Sequence, residues 1–187
     1  LEPTNSPYAM AKLTAIEMGN ALSTQYGHKI INLMPTNLYG PNDNYSPVNS
    51  HVIPGLIYRF NEAKINNLPS VTIWGTGKPK REFLYVDDMA RASIYLMNLD
   101  KDSYDEKVSS ELSHINVGSG EDLTIKELAE IIKEVVGFKG EIKFDPTRPD
   151  GNPRKLLDST RINNLGFKPE VTLRDGLMKT YENYIKS

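Results

Sequence analysis

The chain has 187 residues, 39% hydrophobic and 25% charged, an ordinary globular balance that excludes collagen-like, low-complexity and disordered chains. Twenty-two Lys and Arg against 24 Asp and Glu leave a formal net charge of −2, without the basic face that a general nucleic-acid coat requires. No apolar run approaches the roughly 18 residues that cross a bilayer, no signal segment opens the chain, and the absence of cysteine excludes disulfides and thiolate chemistry within it.

The opening Leu1-Glu2-Pro3-Thr4, without Met, reads as a piece of a longer polypeptide. A helix follows: Ser6 is a good N-cap, Pro7 fits the first helical position, Gly27 fits the end, and Leu13, Ile16, Ala21 and Leu22 fall near helical spacing. Residues 28–34 read as a buried strand closed by Pro35. The Pro-, Asn- and Gly-rich stretch from Pro35 to Ser50 reads as a long loop, a kind that tends to carry function. A second helix is expected from His51 to Ile65, with Val52, Leu56, Ile57 and Phe60 inward and Pro54 in its first turn.

Short strands are expected at 71–74 and 83–86, then a helix capped by Asp87 that runs to Leu99. Residues 100–113 read as an exposed loop and 114–117 as a strand. Thr124 and Glu127 form a capping box, stapled by Leu123 and Leu128 and ended by Gly137. A strand at 141–144, a Pro/Asp/Gly loop through Pro153 and a final helix from Thr172, presenting Leu173, Leu177, Tyr181 and Ile185, complete the chain. Strands alternating with helices predict an α/β fold.

Tyr8 and Lys12, four residues apart, project from one helix face. An ammonium beside a phenol favours the phenolate, and the phenol can pass a proton to a carbonyl oxygen as hydride reaches its carbon. With 10 Tyr in the chain, chance alone supplies about one Tyr-x-x-x-Lys pair, so the spacing by itself decides nothing. The three histidines, His28, His51 and His114, lack ligand spacing, and no metal site is expected. A lone histidine at a helix start is ordinarily a cap, a sole Trp is ordinarily core, and Pro-Asp-Gly is ordinarily a turn.

Context gives these residues meaning. Pro7-Tyr8-Ala9-Met10-Ala11-Lys12, followed by Met34-Pro35-Thr36-Asn37-Leu38-Tyr39-Gly40-Pro41, resembles the extended short-chain dehydrogenase/reductase family. Asn42-Asp43-Asn44, Asn49-Ser50-His51-Val52-Ile53-Pro54, Trp74-Gly75-Thr76-Gly77, Arg81-Glu82-Phe83 and Pro149-Asp150-Gly151 are similar to its branch acting on GDP-linked 4-keto sugars. The resemblance covers essentially the whole chain. It implies the C-terminal remnant of a Rossmann-type doubly wound parallel sheet plus a smaller α/β substrate-binding domain. Residues 1–40 would be the end of the NADP-binding domain. Residues 41–187 would be mainly the GDP-sugar domain, with 83–120 packing back on the Rossmann sheet.

By the same resemblance, Tyr8 is the general acid/base and Lys12 its partner, also holding the nicotinamide ribose. Pro35, Thr36, Asn37 and Leu38 would line the nicotinamide. His51 would be the acid of an epimerisation and touch the cofactor, NADP(H). Arg59 and Arg81 would clamp the substrate diphosphate, Trp74 would wall the nucleotide pocket, and Asp150 would hold the nucleotide end, with Lys155 assisting. The implied reaction inverts C3 and C5 of GDP-4-keto-6-deoxy-D-mannose and then reduces C4, in an enzyme expected to be a cytoplasmic homodimer with no nucleic-acid or membrane partner. The family's Gly-rich cofactor turn, catalytic Ser/Thr and cysteine base have no counterpart here; they would lie upstream of Leu1, and the chain alone is expected to be inactive. Two rivals stay open: another nucleotide-sugar epimerase or dehydratase of the family, or a non-catalytic nucleotide-sugar binding module.

Overall fold

The computed structural model describes residues 6–106, 108 and 113–186. The first helix, α1 (Ser6–Tyr26), ends as the sequence predicts, with Gly27 left-handed at φ +71° and its N–H on the Ser23 carbonyl. Strands β1 (Asn32–Pro35) and β2 (Asn37–Tyr39) precede α2 (Val52–Ile65). Next come β3 (Ser70–Trp74), β4 (Lys80–Tyr85), α3 (Val86–Met97) and a short α4 (Lys101–Asp105). Then follow β5 (His114–Val117), β6 (Asp122–Thr124), α5 (Ile125–Val136), β7 (Glu141–Asp145), β8 (Arg154–Lys155), α6 (Thr160–Asn164) and α7 (Leu173–Tyr184).

Parallel pairing dominates. β1 runs parallel to β5, β2 to β4, and β3 to β7; β8 adds in parallel to the start of β4, and β6 alone is antiparallel to it. This is the predicted α/β organisation. β4 separates two cores by the two-residue period of a strand. Phe83 and Tyr85 face a cluster built from Ile53, Leu56, Ile57 and Phe60 of α2, Leu128 and Ile132 of α5, and Leu177 of α7. Leu84 faces the other cluster, with Ala92 and Leu96 of α3, Ile115 and Val117 of β5, Ile162 and Phe167, against which Ile31 and Leu33 pack.

The capping box of α5 is fully formed. The Thr124 hydroxyl accepts from the Glu127 N–H at 3.0 Å, Glu127 Oε2 accepts from the Thr124 N–H at 2.7 Å, and Gly137 closes the helix at φ +76°. Thr172 caps α7 from the Asp175 N–H. Several boundaries differ from expectation. Residues 28–31 are not strand, because β5, the partner of β1, offers only four residues for pairing. The predicted long loop holds β2, whose partner lies more than forty residues away. β4 starts at Lys80 because β6 and β8 pair with its first residues, and Val86 belongs to α3.

Asp87 does not cap α3. Tyr85 occupies that position, and Asp87 stands in the first turn. The neighbouring Asp88 is fully buried and accepts from the Glu170 and Val171 N–H groups and from Arg91, pinning the approach to α7 onto α3. Val52 is exposed where Ile53 faces the core, and Ile185 is exposed beyond the end of α7. The region expected as an exposed loop contains α4, capped by Asp100; residues 107 and 109–112 of it lie outside the described residues. The apolar residues of α1 are not packed as expected: Leu13 and Leu22 are exposed, and Gly19 is the helix's only buried residue, lying close against the side chains of Ile30 and Asn32. Among the described residues, no helix is long and apolar enough to cross a membrane.

Candidate functional site

The parallel pair β3–β7 places the carboxyl ends of both strands on one side, where ligands settle in α/β folds. There the chain after Trp74 and the loop after Asp145 meet the first turn of α2 and the start of β4. The result is a cleft of about 220 Å³ whose lining includes His51, Arg59, Trp74, Arg81, Pro149 and Asp150. Five residues singled out in the sequence, spread over a hundred positions, thus share one cleft.

Each is held by a local device. His51 is the N-cap of α2, yet its imidazole makes no capping bond; its carbonyl receives the Gly55 N–H, and the ring is left to the cleft. Trp74 ends β3 and is 61% exposed, so it is not the core residue that a sole tryptophan ordinarily is. The guanidinium of Arg59 lies 5.5 Å from its ring centre and that of Arg148 5.1 Å, both within cation–π range. Arg81 donates from Nη1 to the carbonyls of Lys80 at 2.7 Å and Asn152 at 2.6 Å, which orients its planar fork. Asp150 accepts from the Thr76 N–H at 2.8 Å and from the Thr76 hydroxyl at 2.6 Å, and these two bonds hold its carboxyl below the usual range.

The electrostatics favour an anion. None of Arg59, Arg81 and Arg148 forms an ion pair within the described residues, and Asp150 is the single carboxylate lining the cleft. Lys155 sits on β8 opposite Arg81 and is exposed, outside the cleft lining. The Arg154–Asp122 ion pair clasps β8 to β6 across β4.

Tyr8 and Lys12 lie outside this cleft. They form a pair on α1, with Lys12 Nζ 5.4 Å from the centre of the Tyr8 ring and Tyr8 61% exposed. Five residues connect α1 to β1, the Asn32 side-chain amide donates to Asn20 Oδ1 of α1 at 3.4 Å, and β1 leads into the Pro35–Leu38 segment.

That segment is a shelf. Pro35, Asn37 and Leu38 are exposed, and the side chains of Thr36 and Asn37 donate to the Glu82 carbonyl at 3.2 and 2.8 Å. Glu82 itself is fully buried: Oε1 accepts from the Gly120 N–H at 2.8 Å and Oε2 from the Leu157 N–H at 3.0 Å. One residue therefore ties the shelf, the Gly118–Gly120 turn and the segment after β8 together, one position from Arg81. Sequence reading assigned no role to Glu82, Thr76 or Arg148; Glu82 and Thr76 stand inside motifs already noticed, but their partners are remote in the chain. A larger groove of about 580 Å³ runs between the end of α1 and α3–α4, lined by residues such as Thr24, Ile30, Leu96 and Tyr104, and gathers none of the sequence-derived site positions.

Comparison with known proteins adds the family context. A profile described as "NAD dependent epimerase/dehydratase family" matches residues 1–118. All 187 residues align with the GDP-L-fucose synthase of Escherichia coli strain K12 at 53% identity, covering 58% of that protein. They align at 54% identity with a probable GDP-L-fucose synthase 1 of rice, covering 54% of it. Among solved structures, a GDP-D-glycero-L-gluco-heptose synthase of Campylobacter jejuni, crystallised in the presence of NADPH, superposes with a TM-score of 0.89 at 34% identity over 99% of this chain and 62% of that one. The chain thus spans somewhat more than half the length of the relatives it matches.

Proposed function

Since the chain belongs to the NAD dependent epimerase/dehydratase family, we propose that it serves the GDP-L-fucose synthase reaction: 3,5-epimerisation and 4-reduction of GDP-4-keto-6-deoxy-D-mannose. One observation carries this reading above the others. His51, Arg59, Trp74, Arg81 and Asp150 share one cleft with a surplus of guanidinium groups and a single fixed carboxylate. That composition suits a nucleoside diphosphate joined to an uncharged sugar.

In this reading Arg59 and Arg81 take the diphosphate through planar, charge-assisted donors. Trp74 offers an apolar face to the nucleotide, and Asp150 accepts from the base. His51, unencumbered at the helix start, gives protons to the carbons flanking the keto group as the acid of the epimerisation. Tyr8 donates to the C4 oxygen, with the Lys12 ammonium beside its ring. Residues 1–40 would then serve the cofactor and 41–187 mainly the sugar nucleotide, with 83–120 completing the cofactor side. The protein acts in the cytoplasm as a homodimer, without nucleic-acid or membrane partners.

The cofactor fits the residues present. The Pro35–Leu38 shelf is exposed at a strand's carboxyl end and its conformation is fixed through Glu82, while Tyr8 and Lys12 form an exposed pair on α1. Lys12, Pro35, Thr36, Asn37, Leu38 and His51 would hold NADP(H), which supplies the hydride for C4 when bound. Calorimetric titration of the chain with GDP, UDP and dTDP tests the reading. Saturable binding of GDP, weakened at least tenfold by Arg59→Ala, is the expected result; preference for UDP or dTDP would overturn the substrate assignment.

A further inference from the structure

The Gly75-Thr76-Gly77 turn is built around a side chain from the other end of the chain. Gly75 is left-handed at φ +82° and lies so close to Asp150 Oδ1 that a Cβ there would collide with it. Gly77 is left-handed at φ +73° and pressed against the Phe144 ring, so it too has no room for a side chain. The turn is tied down on both sides: the Gly75 N–H donates to the Asp145 carbonyl at 2.9 Å, and the Gly77 carbonyl accepts from the Lys126 N–H at 3.0 Å. Between the glycines, Thr76 contributes its N–H to Asp150 Oδ1 and its hydroxyl to Asp150 Oδ2, and that hydroxyl in turn accepts from the Lys78 N–H at 3.3 Å. Each carboxylate oxygen thus has one fixed donor.

The direction of the grip matters. Asp150 lines the cleft and Thr76 does not, so Thr76 grips the carboxylate without itself lining the cleft. An ionised carboxylate has about four acceptor positions, of which Thr76 occupies two. What remains is a pair of parallel acceptors, fixed in plane, at the rim that also carries Trp74. Guanine is the common base with two adjacent donors on one edge, its ring N1–H and its 2-amino group; uracil and thymine offer one ring N–H, and hypoxanthine has the N1–H without the amino group.

We propose that Thr76 is a positioning residue for base specificity, gripping Asp150 so that its two oxygens meet the N1–H and 2-amino group of guanine together. The inference rests on the nucleoside-diphosphate reading of the cleft and goes beyond it by naming what sets the choice of base. A carboxylate free to rotate could still accept one bond from any base. The fixed plane is what makes the second bond count, in the manner of other bidentate pairs.

The test compares GDP with inosine diphosphate, which differ only in the 2-amino group, by calorimetric titration of the chain and its variants. The unaltered chain is expected to favour GDP by about 10-fold or more, the range of one hydrogen bond to a charged group. Thr76→Val and Thr76→Ala, which lose the hydroxyl, are expected to bring that ratio to within about threefold while binding of inosine diphosphate stays unchanged, a pattern that simple unfolding cannot produce. Thr76→Ser restores the hydroxyl and is expected to restore the ratio. Thr76→Ser serves the same purpose if the other two fail to fold, because loss of its GDP preference with intact binding overturns the proposal. An unaltered GDP preference in Thr76→Val or Thr76→Ala overturns the role of Thr76 alone. An unaltered chain that prefers UDP or dTDP overturns the function reading and this inference with it.

Discussion

Replacing Glu82 by glutamine tests the account of how the shelf and cleft are joined. The carboxylate is fully buried and accepts from two backbone N–H groups, on Gly120 and Leu157, one at each oxygen. An amide has one acceptor oxygen. Whichever way the glutamine amide turns, its NH2 group faces an N–H, so one bond is lost and a donor is left unsatisfied. A bond to a charged acceptor contributes about 1.5–3 kcal/mol, and a stranded buried donor costs about 1–3 kcal/mol. Relief from burying a charge offsets part of that, so the expected loss is about 2–4 kcal/mol. For a chain of this size that lowers Tm by about 5–15 °C. Urea unfolding followed by circular dichroism, with the slope checked for constancy, reads the change. The Thr36 and Asn37 bonds go to the Glu82 backbone carbonyl and survive the substitution. A Glu82→Gln variant as stable as the parent, or more stable, would show that the desolvation of the carboxylate outweighs its two bonds, and would refute the reasoning.

Gly77→Ala should destabilise by about 2–4 kcal/mol in urea titration, because φ +73° disfavours an L side chain and the Phe144 ring occupies the space. Thr124→Ala breaks the capping box of α5 and should cost about 1 kcal/mol by the same assay. Tyr45 has a buried hydroxyl with no partner in the described residues, and burial first, then Asp43 and Tyr184, push its pKa up to about 12. Its folded value is above its unfolded one, so this contribution is complete below about pH 10 and is lost as pH rises towards 12. Tyr45→Phe should therefore leave neutral-pH stability unchanged or raised and blunt the loss between pH 10 and 12, read as Tm against pH.

Local signals carried the fold wherever the cause was local. The capping box of Thr124 and Glu127, the left-handed Gly27 and Gly137, and the apolar period of α2 each act within a few residues, and each element lies where those residues put it. Elements that failed to announce themselves are those made by pairing at a distance. β2, β6 and β8 are two or three residues long and exist because β4 presents backbone groups on both sides. No period can be read from a strand of two residues such as β8. Asp87 illustrates the converse. It has the composition of a cap, but the cap is Tyr85, two residues earlier, and the buried neighbour Asp88 is spent on a contact eighty residues away.

The site divides along the same line. Its residue types were legible because motifs preserve chemistry, and five of them meet in the cleft at the ends of β3 and β7. The arrangement proposed to make those residues selective was not legible, because it depends on which oxygen faces which donor. Asp150 in a Pro-Asp-Gly turn is an ordinary turn residue until Thr76, seventy-four positions earlier, takes one lone pair from each of its oxygens. Trp74 is an ordinary apolar residue until Arg59 of α2 and Arg148 of the loop after β7 stand over it. In both cases the sequence supplies the group that could touch a ligand, and the fold supplies the second group that restricts how it can. Discrimination between bases should therefore respond to Thr76, while overall affinity for the diphosphate should respond to Arg59 and Arg81, because orientation and charge are provided by different residues.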